Sequence, residues 1–508
     1  MVSWPHWLPL VALIPLVGAV TTPAVSRGRG RVAAWWALGV MTLTSFAGLM
    51  LVLRVAREGP FSYHFGGWKP PIGIEFRFDE FSASIAIVCL VGWLAVLYSQ
   101  RYEDRRQVQR PGRVEHALEA PRIPYYYTLL LLNFTGMIGF AVTGDLFNLF
   151  VFMEILSLSS YALVAISGER TAEMAGFKYL LMGAISSLMV LFSIGLLYAA
   201  TGSLNMADIS SRLADGAVGP IPLAMALAGL TMGFMVKAAL FPLHIWLPDA
   251  HAIAPSPVSA VLSGLVVKTG LIGMIRVYQI YYGAKVLDLS SLNTMLVWLG
   301  AISIVMGAFF AIFQEDIKMM LAYSTISNVG YIVMGLGLAS RYSVIGASVH
   351  IFNHALIKAT LFLAAGCLIY KTGYRTLYDL RGVGKAMPLT TAALSIGAIS
   401  IVGIPPTAGF LCKWYIALGA FEAGQPFFGI ALIFGALLIF VYYIRMVNSF
   451  YFQQPVHPEI LDVGEAPASM LAPVLVLAAL CLIMGVLGRI PLSFIEPAAA
   501  RLLAPLGG

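Results

Sequence analysis

Charge is what this chain of 508 residues has least of: 11% is Asp, Glu, Lys or Arg, while 59% is hydrophobic. A soluble domain carries about 25% charge, so a soluble fold is excluded. Mean hydropathy is +0.86. Cysteine is also scarce. The four, Cys89, Cys367, Cys412 and Cys481, sit in apolar runs without CxxC or Cys/His spacing. That excludes a disulfide framework and an iron–sulfur cluster and leaves four small hydrophobes. No GxxxxGK[ST] is present, and no GxGxxG follows a strand, so no nucleotide site is expected. Neither a catalytic residue, a cofactor nor a metal is expected. Any driving force must come from ions or partner subunits. The net charge of +7 argues for loop topology and anionic lipid headgroups, not for nucleic acid.

What is present is apolar runs of spanning length, about 20 residues each. Fourteen are predicted: 5–25, 33–53, 79–99, 124–143, 146–167, 174–200, 220–243, 255–281, 292–312, 319–339, 343–370, 387–418, 425–450 and 468–488. The fold class is therefore an all-α polytopic membrane protein. The first run has its bases after it, at Arg27, Arg29 and Arg31, which suits a first spanning helix rather than a cleaved signal. Residues 489–508 read as a mildly amphipathic surface tail. Loops after the odd-numbered spans carry 15 Lys and Arg, against 9 in the opposite loops and tails. The clusters are Arg27/Arg29/Arg31, Arg101/Arg105/Arg106/Arg110/Arg113/Arg122 and Lys371/Arg375/Arg381/Lys385. The positive-inside rule puts these in the cytoplasm and both termini outside, in the periplasm for an inner membrane.

Seven bases fall inside spans: Lys178, Lys237, Lys268, Arg276, Lys358, Lys413 and Arg445. At about 3 kcal/mol each they cost roughly 20 kcal/mol before pairing or hydration. Stability alone does not retain such residues. Arg276 and Arg445 are the best placed to snorkel from helix ends. Lys178 to Lys358 is 180 residues, Lys237 to Lys413 is 176, and Lys268 to Arg445 is 177. Near-constant offsets suggest two copies of a five-helix unit, spans 4–8 and 9–13, inverted because five is odd. Residues then divide into 1–123 (spans 1–3), 124–281 (first repeat), 292–450 (second repeat) and 451–508 (span 14 and tail). Pro242 breaks span 7, and GIPPTAGF at 403–410 breaks span 12.

Glu154 is the sole acid of its run and could pair with Lys237, so that its protonation would release the lysine's proton; the plain alternative is a helix-packing carboxyl. His350, His354 and Lys358 stand at i, i+4 and i+8 on one helix face. Zinc is the alternative there, but the carboxylate of HExxH is missing and a lysine is a poor neighbour for a cation. A polar column handing on protons fits better. Lys413 follows the Pro405–Pro406 break. Lys178, His244, Asp249 and His251 are accessory candidates, an access funnel or a solvated loop. Asp145, Glu315, Asp316 and Lys318 lie near span ends as caps or anchors.

The passages carrying these residues are GDLFNLFVFMEILSLSSYALVA, KAALFPLHIWLPDAHAIAPSPVSAVLSGLVVKTG, HIFNHALIKATLFLAAG and GIPPTAGFLCKW. Together they resemble the proton-translocating antiporter family shared by respiratory complex I and the Mrp-type multisubunit cation/proton antiporters, over nearly the whole chain. HFGGWKPPIGIEFRFDEF and TGSLNMADIS resemble the D-type chain of the Mrp multisubunit Na+/H+ antiporters, while LPDAHAIAPSPVSA also resembles subunits of membrane-bound hydrogenases. The resemblance implies fourteen helices with repeats at 4–8 and 9–13. It implies a proton path through Glu154, Lys237, Lys268, His350, His354, Lys358 and Lys413. Some complex I relatives have glutamate at the position of Lys413, so lysine agrees with the Mrp type. The implied function is a proton-conducting subunit of a Na+/H+ antiporter in a cell membrane, among other membrane subunits. A proton-pumping subunit of a hydrogenase or complex I-like NADH/quinone oxidoreductase is the alternative.

Overall fold

The computed structural model describes residues 6–102, 120–215, 219–284 and 289–503. Of the basic cluster expected after the third span, Arg105, Arg106, Arg110 and Arg113 lie outside the described residues. The chain runs α1 (Trp7–Ser26), α2 (Gly30–Glu58), β1 (Phe61–His64), β2 (Glu75–Phe78), α3 (Ile85–Tyr102), α4 (Ile123–Val142), α5 (Leu146–Val164), α6 (Arg170–Thr201) and α7 (Met206–Ala214). It continues as α8 (Pro220–Lys237), α9 (Leu247–Ile253), α10 (Ser256–Val261), α11 (Val267–Ala284), α12 (Ser290–Ile312), α13 (Ile317–Gly337) and α14 (Arg341–Thr372). The last elements are α15 (Pro388–Val402), α16 (Ala408–Glu422), α17 (Pro426–Tyr451), α18 (Ala468–Val486) and α19 (Arg489–Leu503).

Among the described residues, 13 helices are long and apolar enough to span a membrane. The remaining expected span, 387–418, is two half-helices, α15 and α16, of 15 residues each. Gly403 ends α15 in the left-handed region at φ 92°, and Pro405 and Pro406 offer no amide hydrogens to continue it. Span 7 is shorter than its apolar run, because α8 stops at Lys237, ahead of Pro242. Proline disfavours helical geometry in Phe241. The freed backbone finds partners: the Trp246 indole donates to the Val236 carbonyl at 3.0 Å, and the Phe241 amide donates to Ser303 Oγ at 3.3 Å. Such compensation is what permits irregular backbone at membrane depth. Span 8 carries a π turn at residues 262–266 between α10 and α11.

Two features depart from a purely helical reading. β1 and β2 pair antiparallel, Phe61 opposite Phe78, with Phe76 and Phe78 turned to the core. Alternation in EFRF drives this small hairpin. The C-terminal stretch is a packed helix rather than a detached tail. α19 buries Ile495, Ala498, Ala499 and Leu502 and contacts α11 and α14.

The core lies around α14. From Ser343 to Ile369 nearly every residue of it is buried, among α10, α13, α15, α16 and α18. The chain builds the same device twice, once before α14 and once bracketing it in sequence. Asp145 N-caps α5, and the Leu146 amide bonds the Leu204 carbonyl; Asp316 N-caps α13, and the Ile317 amide bonds the Arg375 carbonyl. The return bonds are Met206 to Gly144 and Leu377 to Glu315. Each partner is displaced by 171 residues. The helices α6 and α14 begin at Arg170 and Arg341 and have 32 residues each.

Arg276 does not snorkel. It is 5% exposed and forms a two-pronged ion pair with Asp79, at 2.5 and 3.1 Å, adding Ser82 Oγ at 3.0 Å. Burial alone would raise the Asp79 carboxyl, but the Arg276 charge and hydrogen bonds outweigh it and hold it below the usual carboxylate range. Arg445, in contrast, is half-buried and reaches the C-terminal end of α12, donating to the Ile312 carbonyl at 2.8 Å and to the Gln314 carbonyl. Arg276→Leu strands a buried carboxylate and is expected to cost about 3–5 kcal/mol, with Asp79→Asn in the same chain restoring part of it. Because the Asp79 carboxyl is depressed, the pair's contribution is full above the ordinary carboxylate range, near pH 4, and is lost as pH falls through the depressed value. Thermal melts of the purified assembly against pH test both.

Candidate functional site

The first cluster forms where α8 ends. Lys237 is the last helical residue, 7% exposed, and its ammonium donates to Ser157 Oγ at 2.6 Å and Tyr161 Oη at 3.2 Å, both on α5. Glu154, one turn before Ser157, is half-buried and accepts from Ser187 of α6 instead. The expected Glu154–Lys237 pair is therefore not a contact ion pair; hydroxyls of α5 and α6 take up both groups. Lys178 and Asp249 do meet, at 2.5 Å, with side chains 51% and 39% exposed. Exposure on that scale leaves the pair worth little to stability.

The short helix α9 carries Asp249 and His251. His251 is fully buried, stacks on Phe362 of α14 with centroids 5.0 Å apart, and makes no hydrogen bond through its ring nitrogens within the described residues. His244 lies in the span 7 break, stacked on Phe241 at 5.0 Å and flanked by Tyr323. It is separate from the histidine column. At the far end of α9, Arg375 donates to the Ala252 carbonyl at 2.6 Å while paired with Asp316 at 2.8 Å. Lys318 donates to the Ala254 carbonyl at 2.5 Å. Lys318 is 0% exposed, a buried base that the sequence disguises as a loop residue.

The second cluster is organised by α13. Ser324, Thr325 and Asn328, in the stretch YSTISN at 323–328, face the other buried bases. Lys268 donates to the Ser263 carbonyl inside the π turn, and Ser263 Oγ meets Thr325 Oγ1 at 2.8 Å. A π turn at such a place is a recurrent mark of functional sites. Lys268 also lines a cavity of about 30 Å³ with Ser84 and Thr269, room for one or two waters. Lys358 donates to Ser324 Oγ at 2.7 Å and the Leu321 carbonyl at 2.8 Å; Ser324 in turn meets Tyr443 Oη at 3.0 Å. His350, His354 and Lys358 are all fully buried on α14, with the two imidazoles stacked at 5.5 Å. Asn328 Oδ1 lies 3.3 Å from His350 Nε2.

Lys413 closes the series. Its ammonium donates to the Ile401 and Val402 carbonyls at 2.7 and 3.1 Å, the open C-terminal end of α15, and stands 4.4 Å from the Tyr331 ring centre. A cation there also meets the negative end of the half-helix dipole. This close fit needs Gly409: a Cβ there would lie 1.8 Å from the Ser400 carbonyl oxygen. Lys237 precedes its break and Lys413 follows its own. At the 171-residue register Lys358 aligns with Ser187, and Glu154 with Thr325.

Chemically, the cluster is a string of amines and imidazoles on neutral acceptors, groups that can take and give protons. Among the described residues no group of three His, Cys, Asp or Glu could hold a metal. The family model described as "NADH:quinone oxidoreductase/Mrp antiporter, TM" matches residues 143–439, the stretch that holds every one of these bases. The chain belongs to this family. It is 36% identical to the N-type chain of the NADH-quinone oxidoreductase of Desulforudis audaxviator (strain MP104C), over 94% of this chain and 95% of the relative. It is 29% identical to the D-type chain of the Na(+)/H(+) antiporter of Bacillus subtilis (strain 168), over 90% and 89%. Two solved assemblies hold similar chains. The Mrp complex from Dietzia sp. DQ12-45-1b matches at TM-score 0.88 and 24% identity, over 99% of this chain and 98% of that one. The membrane-bound sulfane sulfur reductase, an archaeal respiratory membrane complex, matches at 0.87 and 31%, over 97% of each. This antiporter-family chain is thus a multi-pass membrane protein homologous both to an antiporter subunit and to a quinone oxidoreductase subunit.

Gly409→Ala should push α16 from α15, draw Lys413 off its carbonyls and cost about 1–3 kcal/mol. Gly195→Ala, on an α6 face with nothing within 4 Å, should be neutral or slightly stabilising. Comparative melting of the two variants checks the contrast.

Proposed function

We propose that this chain is the proton-conducting subunit of a multisubunit monovalent cation (Na+)/proton antiporter in the cell membrane. The observation that carries the proposal is the run of buried bases on neutral acceptors. Protons pass along Lys237, Lys268, the His350–His354–Lys358 column and Lys413, with α13 hydroxyls and amide between them. Lys318, donating to the α9–α10 junction, joins the path beside His251. Glu154, half-buried on the outer side of α5, couples the path to a neighbouring membrane subunit. Lys178 and Asp249 flank the span 7 break as an access point. Residues 124–281 and 292–450 form two inverted repeats; the matched N-cap devices occur after spans 4 and 9, which an odd number of crossings puts on opposite faces. Odd-numbered loops face the cytoplasm, with both termini outside.

A second reading is a proton-pumping subunit of a complex I-like or hydrogenase-type enzyme. The 36% identity to a chain of a quinone oxidoreductase over nearly its full length favours it. Subunit composition of the purified assembly separates the two: redox subunits favour the enzyme, and small membrane subunits with a longer antiporter-like chain favour the antiporter. Lys237→Ala should abolish Na+-dependent proton exchange in vesicles, and Lys237→Arg should keep a fraction of it. Wild-type exchange by an assembled Lys237→Ala complex would sink the proposal.

A further inference from the structure

Cys412 touches the histidine column and has no part in the path described above. It is 1% exposed on α16, and its Sγ lies 2.9 Å from His350 Nδ1. The approach is set by backbone contact: a Cβ on Gly346, one turn before His350, would lie 2.8 Å from the Cys412 carbonyl oxygen. The opposite side of the ring fixes the tautomer. Asn328 Nδ2 donates to the Ser324 carbonyl at 2.8 Å, so Asn328 Oδ1 is what faces His350 Nε2. Nε2 must then carry hydrogen, and in the neutral ring Nδ1 is left as an acceptor aimed at the thiol. The thiol has other places to send its hydrogen, the Gly409 and Ala408 carbonyls at 3.3 and 3.5 Å.

We propose that Cys412 is a positioning residue for proton transfer at His350, its thiol turning to suit either protonation state of the ring. With neutral His350 the S–H donates to Nδ1. When a proton arrives on Nδ1, the S–H turns to the Gly409 carbonyl and the sulfur accepts from N–H. The ring N–H forms as an N–H of the Lys413 ammonium, next to Cys412 on α16 and the leading charge acting on His350, breaks; the reverse transfer returns the proton to that amine. An alanine leaves Nδ1 without a partner in a dry site in both states, and an unpartnered imidazolium N–H is the costlier of the two. The other groups facing His350 are Lys413 on α16, Tyr331 on α13, Lys268 on α11, and His354 with Lys358 on its own helix. Among the described residues Cys412 is the hydrogen-bond partner of Nδ1 in this arrangement.

The inference rests on the conduction role proposed for His350, so its test has two arms. In the purified assembly, the infrared S–H stretch of Cys412, isolated as wild type minus Cys412→Ser, should shift in a His350→Leu background. An identical band in both backgrounds overturns the contact. In vesicles, the pH profile of exchange by Cys412→Ala should move toward acid by on the order of one pH unit. Cys412→Ser, which keeps a rotating hydroxyl, should hold the wild-type profile. If His350→Leu exchanges like wild type, the conduction role fails and Cys412 has no transfer to serve. If His350→Leu is inactive while Cys412→Ala keeps the wild-type profile, this inference alone fails.

Discussion

A buried ammonium resting on a backbone carbonyl recurs through this molecule, and the arrangement of helices follows from the need to supply those carbonyls. Lys413 sits on Ile401 and Val402, Lys358 on Leu321, Lys268 on Ser263, Lys318 on Ala254. Within an intact helix each carbonyl already accepts one bond inside the segment. Breaks and a π turn provide three of the four; the Leu321 carbonyl lies inside α13 and takes the Lys358 ammonium on a second lone pair. The end of α15, the α9–α10 junction and the 262–266 turn each open a carbonyl where a lysine reaches it. Carbonyls and hydroxyls keep their charge whatever the lysine does. A carboxylate partner would hold the proton, because losing it would strand a buried charge. Neutral acceptors satisfy a neutral amine and an ammonium alike, which suits a site that must alternate between them.

The helix α13 gathers these sites. Its Ser324, Thr325, Asn328 and Tyr331 reach toward Lys358, the Lys268 turn, His350 and Lys413, all from one helix held by the Asp316 cap. Its counterpart at the 171-residue register, α5, does the same for Lys237 through Ser157, which aligns with Asn328. The two helices share the same cap and backbone clamp and carry different chemistry. One presents a carboxylate, Glu154, where the other presents Thr325.

Much of this was legible in the sequence. Spans, breaks, the deep bases and the His350–His354–Lys358 face all follow from apolar length, proline and helical period. What was not legible depended on distant partners or on register. Arg276 reads as a snorkelling base because Asp79 is 197 residues away. Lys318 reads as a loop base because it stands one residue past the start of α13 and folds inward to the α9–α10 junction. Serines and threonines in an apolar run look like ordinary helix packing until a lysine is found on them. The lysine spacing of 176–180 residues differs from the 171-residue spacing of the matched backbone clamps. The backbone clamps carry the register, and no side-chain pattern announces them.

The central claim is that protons pass between the buried lysines and histidines through hydroxyls and an amide of α13, which are not themselves ionisable. Proton exchange by vesicles bearing the assembled complex with Ser324→Ala and Thr325→Val together measures this directly, since every lysine and histidine stays in place. The account predicts a loss of at least about tenfold, the kinetic equivalent of about 1.4 kcal/mol on the barrier. Exchange at the wild-type rate in a fully assembled complex would contradict it.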